Sequence, residues 1–74
     1  METPVWADAV AYLAKRPGQW VSGAELGDNI YGSGCYSRHA PHEMVRRARK
    51  AGVPIESSHP LRKKLDVKMY LKGL

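Results

Sequence analysis

Apolar positions along this chain change period part-way, and the changes divide it into elements. Trp6, Ala9, Val10 and Leu13 recur at three- and four-residue spacing, which predicts a helix with one apolar face. Thr3 and Pro4 suit its opening, with Pro4 at the first helical position where a missing N–H is harmless; Arg16-Pro17-Gly18 stops it. Gln19 to Ser22, with Trp20 and Val21, predicts a brief strand or extended link. Ser22 or Gly23 then starts a second helix with Leu26 and Ile30 inward. Asp28-Asn29 and Gly32-Ser33-Gly34 break that pattern and make a loop up to Tyr36.

Ser37 to Ile55 holds the clearest signals. Ser37 is a good N-cap, since its hydroxyl accepts from a first-turn amide that lacks a helical partner. Ala40, Met44, Val45 and Ala48 follow at helical spacing, leaving His39, His42, Glu43, Arg46 and Arg49 mostly on other faces. Pro41 falls in the first turn, where it need not break the helix. Arg49 and Lys50 sit where the helix dipole favours cations, and Gly52 suits the left-handed stop. The period then becomes two. Val53 and Ile55 alternate with Pro54 and Glu56, and Val67, Met69 and Leu71 alternate with Lys68, Tyr70 and Lys72. Pro54 fits only at a sheet edge or a strand start. The two runs, joined by a segment with His59-Pro60, Arg62, Lys63 and Lys64, predict an antiparallel hairpin.

Seventy-four residues make one small domain, 1–74, with a modest core. With no Phe, the bulk of that core is expected from Trp6, Trp20, Tyr12, Tyr31 and the aliphatics. No apolar run is long enough to span a membrane, and the start METPVWADAV lacks the form of a signal peptide. Cys35 stands alone, which rules out an internal disulfide and suits a reducing, cytoplasmic setting. The net charge of +5 is segregated: residues 1–34 set Lys15 and Arg16 against four acids, while residues 35–74 set ten cations against Glu43, Glu56 and Asp66. Such segregation favours a polyanionic partner, the plainer reading being a solubilising face.

The element order is helix, short strand, helix, helix, strand, basic connection, strand. Ala24, Glu25, Leu26 and Gly27 open the second helix, and Ser37-Arg38 head the third. Arg49, Gly52-Val53 and Ile55 follow at its end, with Tyr70 and Leu71 a weaker echo. In this order and these residues the chain resembles the winged helix-turn-helix domain at the N-terminus of biotin-repressor-type regulators. The chain departs from that pattern in its longer turn from Tyr31 to Tyr36, in Pro41 and in a long basic wing. What the resemblance implies is an α+β winged helix, three helices and a small antiparallel sheet, with the helix-turn-helix at about 23–51 and the wing at about 53–72. It carries a groove-reading third helix but nothing concerning biotin.

A helix in the major groove offers its first turns to base edges while flanking cations meet phosphates. Arg38, His39, His42 and Arg46 are therefore the expected base contacts, and Ser37, Arg47, Lys50, Arg62, Lys63, Lys64 and Lys68 the expected backbone contacts. Glu43 either accepts from a cytosine amine or pairs with Arg46 or Arg47. The function expected is sequence-specific binding of double-stranded DNA by a small transcriptional regulator, as a homodimer or a cooperative assembly. An architectural excision factor is a further DNA-binding option. The alternative of another class is a winged-helix module that docks a polymerase, a recombinase or another regulator, with Tyr31, Tyr36 and Tyr70 available to the interface. Cys35, His39, His42 and His59 hold zinc-binding atoms, but without a second Cys no metal or other cofactor is expected. No paired carboxylates, Walker loop or activated nucleophile is evident, so no enzyme is expected.

Overall fold

A computed structural model describes residues 4–58 and 65–72 of the chain. The expected wing cations Arg62, Lys63 and Lys64, together with His59, lie outside the described residues. The architecture is α+β: α1 (Val5–Ala14), β1 (Val21–Ser22), α2 (Gly23–Tyr31), α3 (His39–Lys50), β2 (Ile55–Ser57) and β3 (Lys68–Leu71). Strand β3 lies between β1 and β2 and pairs antiparallel with both. The register sets Val21 against Met69, and Ile55 against Leu71, so the apolar rows of all three strands share the inner face. The expected hairpin is thus present, with Pro54 just ahead of edge strand β2, where its carbonyl accepts from Lys72 at 2.8 Å. No helix among the described residues is long and apolar enough to cross a membrane.

Each helix boundary follows from local chemistry. Pro4 has extended ψ and is the N-cap of α1 rather than its first helical residue, with its carbonyl accepting from Ala7 at 2.9 Å. Ser22 caps α2, its hydroxyl accepting from the Glu25 amide at 3.1 Å. The two preceding amides turn to the segment that leads into β3: Gly23 donates to the Val67 carbonyl and Ala24 to that of Leu65. The start of α2 is therefore capped by tertiary structure as well as by Ser22. The Glu25 carboxylate accepts from the Tyr12 hydroxyl at 2.6 Å, tying α2 to α1 and raising the Tyr12 pKa through that bond.

The core sits between the helices and the inner sheet face. Ala9 and Leu13 come from α1, Leu26 from α2, and Met44, Val45 and Ala48 from α3, against Val21, Ile55, Met69 and Leu71 of the strands. Trp6, Val10, Tyr12 and Ile30 pack around it, half-buried. Two of the expected core aromatics are not in it. Trp20 is 48% exposed and Tyr31 40% exposed. Trp20 precedes Val21, so the strand alternation turns it to the outer face, where it meets Tyr70 edge-to-face at 4.6 Å. On α3 the inward row is Pro41, Met44, Val45 and Ala48; Ala40, expected there, is half-buried.

The link between α2 and α3 is held by Tyr36. Its hydroxyl lies 2.9 Å from the Ala24 carbonyl and 2.8 Å from Asp28 Oδ1, and donates its one proton to this pair. The bond to Asp28 raises the Tyr36 pKa. Its ring covers Gly27 so closely that a Cβ there would overlap ring carbons. Gly27→Ala should therefore cost about 1–3 kcal/mol by overpacking, despite the better helix propensity of Ala. In a Tyr36→Ala background the same change should become neutral or stabilising, a reversal that a urea-denaturation double-mutant cycle measures.

Candidate nucleic-acid interface

Helix α3 is anchored at both ends by local bonds. At its start Arg38, the residue just before the assigned helix, already has helical φ and ψ and makes no side-chain capping bond. The Ser37 hydroxyl still accepts from a first-turn amide, that of His39 at 3.3 Å, and its carbonyl accepts from Ala40 at 3.0 Å. Ser37 thus supplies the capping bond expected of it, and Arg38 belongs to the tight first turn that follows. At the other end Val53 N–H reaches the Ala48 carbonyl and Gly52 N–H that of Arg49, at 3.0 and 2.9 Å. With Gly52 at φ +96°, this is a Schellman stop, and it aims the chain into β2.

With Pro41, Met44, Val45 and Ala48 inward, helical spacing turns His39, Glu43, Arg46 and Lys50 outward. The first turn carries no acid and the last carries Arg47, Arg49 and Lys50. Arg38, His39, Arg46, Arg47 and Lys50 are all exposed, so the structure gathers these expected contacts on and beside one helix. His42 sits at the margin: it is half-buried, and its Nδ1 is buried with no hydrogen-bond partner among the described residues. Lys68 is exposed on β3, opposite Ser22 across the sheet, and its amide donates to Ser58 Oγ at 3.1 Å. It belongs to a different element from the other described cations.

The outward face is not uniformly positive. Arg46 donates through Nε and Nη2 to both Glu43 oxygens, at 3.2 and 2.9 Å, and Arg47 Nε lies 3.6 Å from the same carboxylate. The Arg46 bond, then the nearby guanidinium charges, hold the Glu43 carboxyl below its usual range, and the same bond raises Arg46. Glu43 is thus a partner for both arginines of its own helix. It orients Arg46 and also occupies two of the donors that a guanine contact would use.

Arg49 has a structural task that its place in the helix did not reveal. Its Nε and Nη2 donate to the Ile55 carbonyl at 3.0 and 2.8 Å, and Nη2 also to Ser57 Oγ at 3.2 Å. This fork pins the end of α3 to β2. Arg49→Met should lower stability by about 1–2 kcal/mol, and Arg49→Lys should not restore it, because an ammonium lacks the fork. Thermal melts of the two variants check this.

Two adjoining cavities run along α3 toward α1, starting at the edge of the outward face. One, of about 410 Å³, is lined by Trp6, Arg46, Arg47, Lys50 and Ala51. The next, of about 520 Å³, shares Trp6 and Arg47 and continues past Val5, Tyr31 and Met44. Periodicity assigned Trp6 to the core and gave no hint of Val5. The signal within reach of sequence was Tyr31, which the sequence offered to an interface together with Tyr36 and Tyr70. Among the described residues no group of three His, Cys, Asp or Glu side chains converges to hold a metal ion. Comparison of the chain with family models, curated proteins and solved structures finds no match.

Proposed function

We propose that this chain is a winged helix-turn-helix domain that binds double-stranded DNA, with α3 in the major groove and the basic segment between β2 and β3 on the backbone or in the minor groove. One observation carries the reading: the α2–α3 pair presents a helix whose outward residues are histidine, arginine and lysine, with its one acid already paired. Its first turns offer Arg38, His39 and Arg46 to base edges, with His42 at the rim. Ser37, Arg47, Lys50 and Lys68, with Arg62, Lys63 and Lys64, supply phosphate contacts, so log K should fall with log salt at a slope of up to about −5.

A domain this small gains site specificity by pairing on DNA, as a dimer or a cooperative array with half-sites about one helical turn apart. The role that follows is a small cytoplasmic transcriptional regulator, with no catalytic step. Titration of labelled random duplex at low and high salt tests the DNA reading, and absence of binding at low salt would sink it. Selection from a random duplex pool then returns site and symmetry together.

Two variants separate the roles. Arg46→Ala should lose preference for the selected site by about 1–3 kcal/mol while keeping most binding to random duplex. Equal weakening of both would remove Arg46 from base reading. Lys63→Ala/Lys64→Ala should weaken all duplexes alike and flatten the salt slope by about 2.

A further inference from the structure

The groove along α1 and α3 has a chemistry that duplex DNA does not use. Of the three exposed large hydrophobic residues among those described, two, Val5 at 43% and Tyr31 at 40%, line this one groove. Met44 and Trp6 lie beside them, and Trp6 continues into the neighbouring cavity with Arg46, Arg47 and Lys50. The groove thus has an apolar half and a cationic half that meet at Trp6 and Arg47. Its acid, Glu43, is already engaged by Arg46 and Arg47. An apolar patch with a charged rim marks an interaction surface, and Trp, Tyr and Arg are the residue types that anchor one.

We propose that this groove docks an acidic, amphipathic segment of a partner protein, with aliphatic side chains against Val5, Tyr31 and Met44 and carboxylates against Arg47 and Lys50. A polynucleotide offers the charge but no aliphatic anchor. A bilayer surface offers both but no ridge to enter a concave groove. A second copy of a chain with net charge +5 is opposed by like charge. An amphipathic helix or strand with acids on one side and leucines on the other satisfies both halves, the helix-in-groove mode of recognition. Arg47 and Lys50 are also proposed phosphate contacts, so the segment and DNA would compete for those two residues and for no apolar one.

The probe is an acetylated twelve-residue peptide of repeated Leu-Glu-Glu, titrated into the full chain and followed by amide and indole N–H chemical shifts. Trp6 and the amides of Arg47 and Lys50 should move while Trp20, on the outer sheet face, stays still. Val5→Ser/Tyr31→Ser should bind the peptide at least about tenfold more weakly with its duplex affinity kept. Val5→Ser alone, which leaves the stack of Tyr31 on Tyr36 in place, should weaken the peptide severalfold without loss of fold. The proposal is overturned by no shift up to about 1 mM peptide, or by equal binding of the peptide with Ser in place of Leu. It is equally overturned if Val5→Ser/Tyr31→Ser loses duplex or anionic-vesicle binding instead. Failure of the wild-type chain to bind any duplex would refute the DNA reading and leave the peptide result standing.

Discussion

Arg47→Glu/Lys50→Glu should weaken duplex binding on the order of 100-fold at about 0.15 M salt and leave the fold intact. Both side chains are exposed, and neither belongs to the core cluster. Surface changes of this kind usually stay within about 0.5 kcal/mol of wild type. The loss has two parts. Two phosphate contacts vanish, which should reduce the salt slope by about 2, and two new anions then face the polyanion. Glu43 also loses Arg47 as a partner, though Arg46 still holds it through two bonds. Circular dichroism and a melt establish the fold, and titrations across salt give the slope. An unchanged affinity would show that α3 does not lie on DNA. The opposite change, Glu43→Gln, should tighten binding to random duplex severalfold, because it removes a negative charge and frees both arginines.

The largest stability loss should come from Leu26→Ala. Leu26 is fully buried on α2 and belongs to the one core cluster that joins helices and sheet. Removing its side chain takes away apolar burial and leaves a cavity, at a cost of about 2–5 kcal/mol. A domain of this length has a total stability of roughly 4–11 kcal/mol, so the change consumes a large share of it. At about 4–8 °C per kcal/mol, a fall in melting temperature on the order of 20 °C is expected. Calorimetry checks the size. Duplex affinity of the fraction still folded should be unchanged, since Leu26 contributes nothing to the outward face of α3. A drop below about 1 kcal/mol would mean that the core closes over the gap.

The element order and the pairing of β2 with β3 were legible because short-range spacing encodes them. Val67, Met69 and Leu71 alternate strictly and Gly52 marks the stop, and each signal spans a few residues. Aromatic placement was less legible. Size argues for burying Trp20, but its register beside Val21 turns it outward onto Tyr70. The inward row of α3 was off at its start for a similar reason. Pro41 is polar by neither charge nor donor, and it packs inward in the first turn where its missing N–H costs nothing. Of the candidate site, the exposure of Arg38, His39, Arg46, Arg47 and Lys50 agrees with the helical spacing. The partial burial of His42 and the tie from Arg49 to Ile55 do not follow from spacing at all.

The sequence by itself determined the three helices, the hairpin and the concentration of positive charge in the second half, because caps, stops and periods act within a turn or a strand. The tertiary structure alone decided what each cation faces. Arg49 bonds to β2 because the Schellman stop folds the chain back on the helix end. Arg47 and Lys50 border Trp6 because α1 packs along the flank of α3, bringing together residues some forty positions apart. Such neighbours are set by how the core closes, and no local pattern in the chain records them.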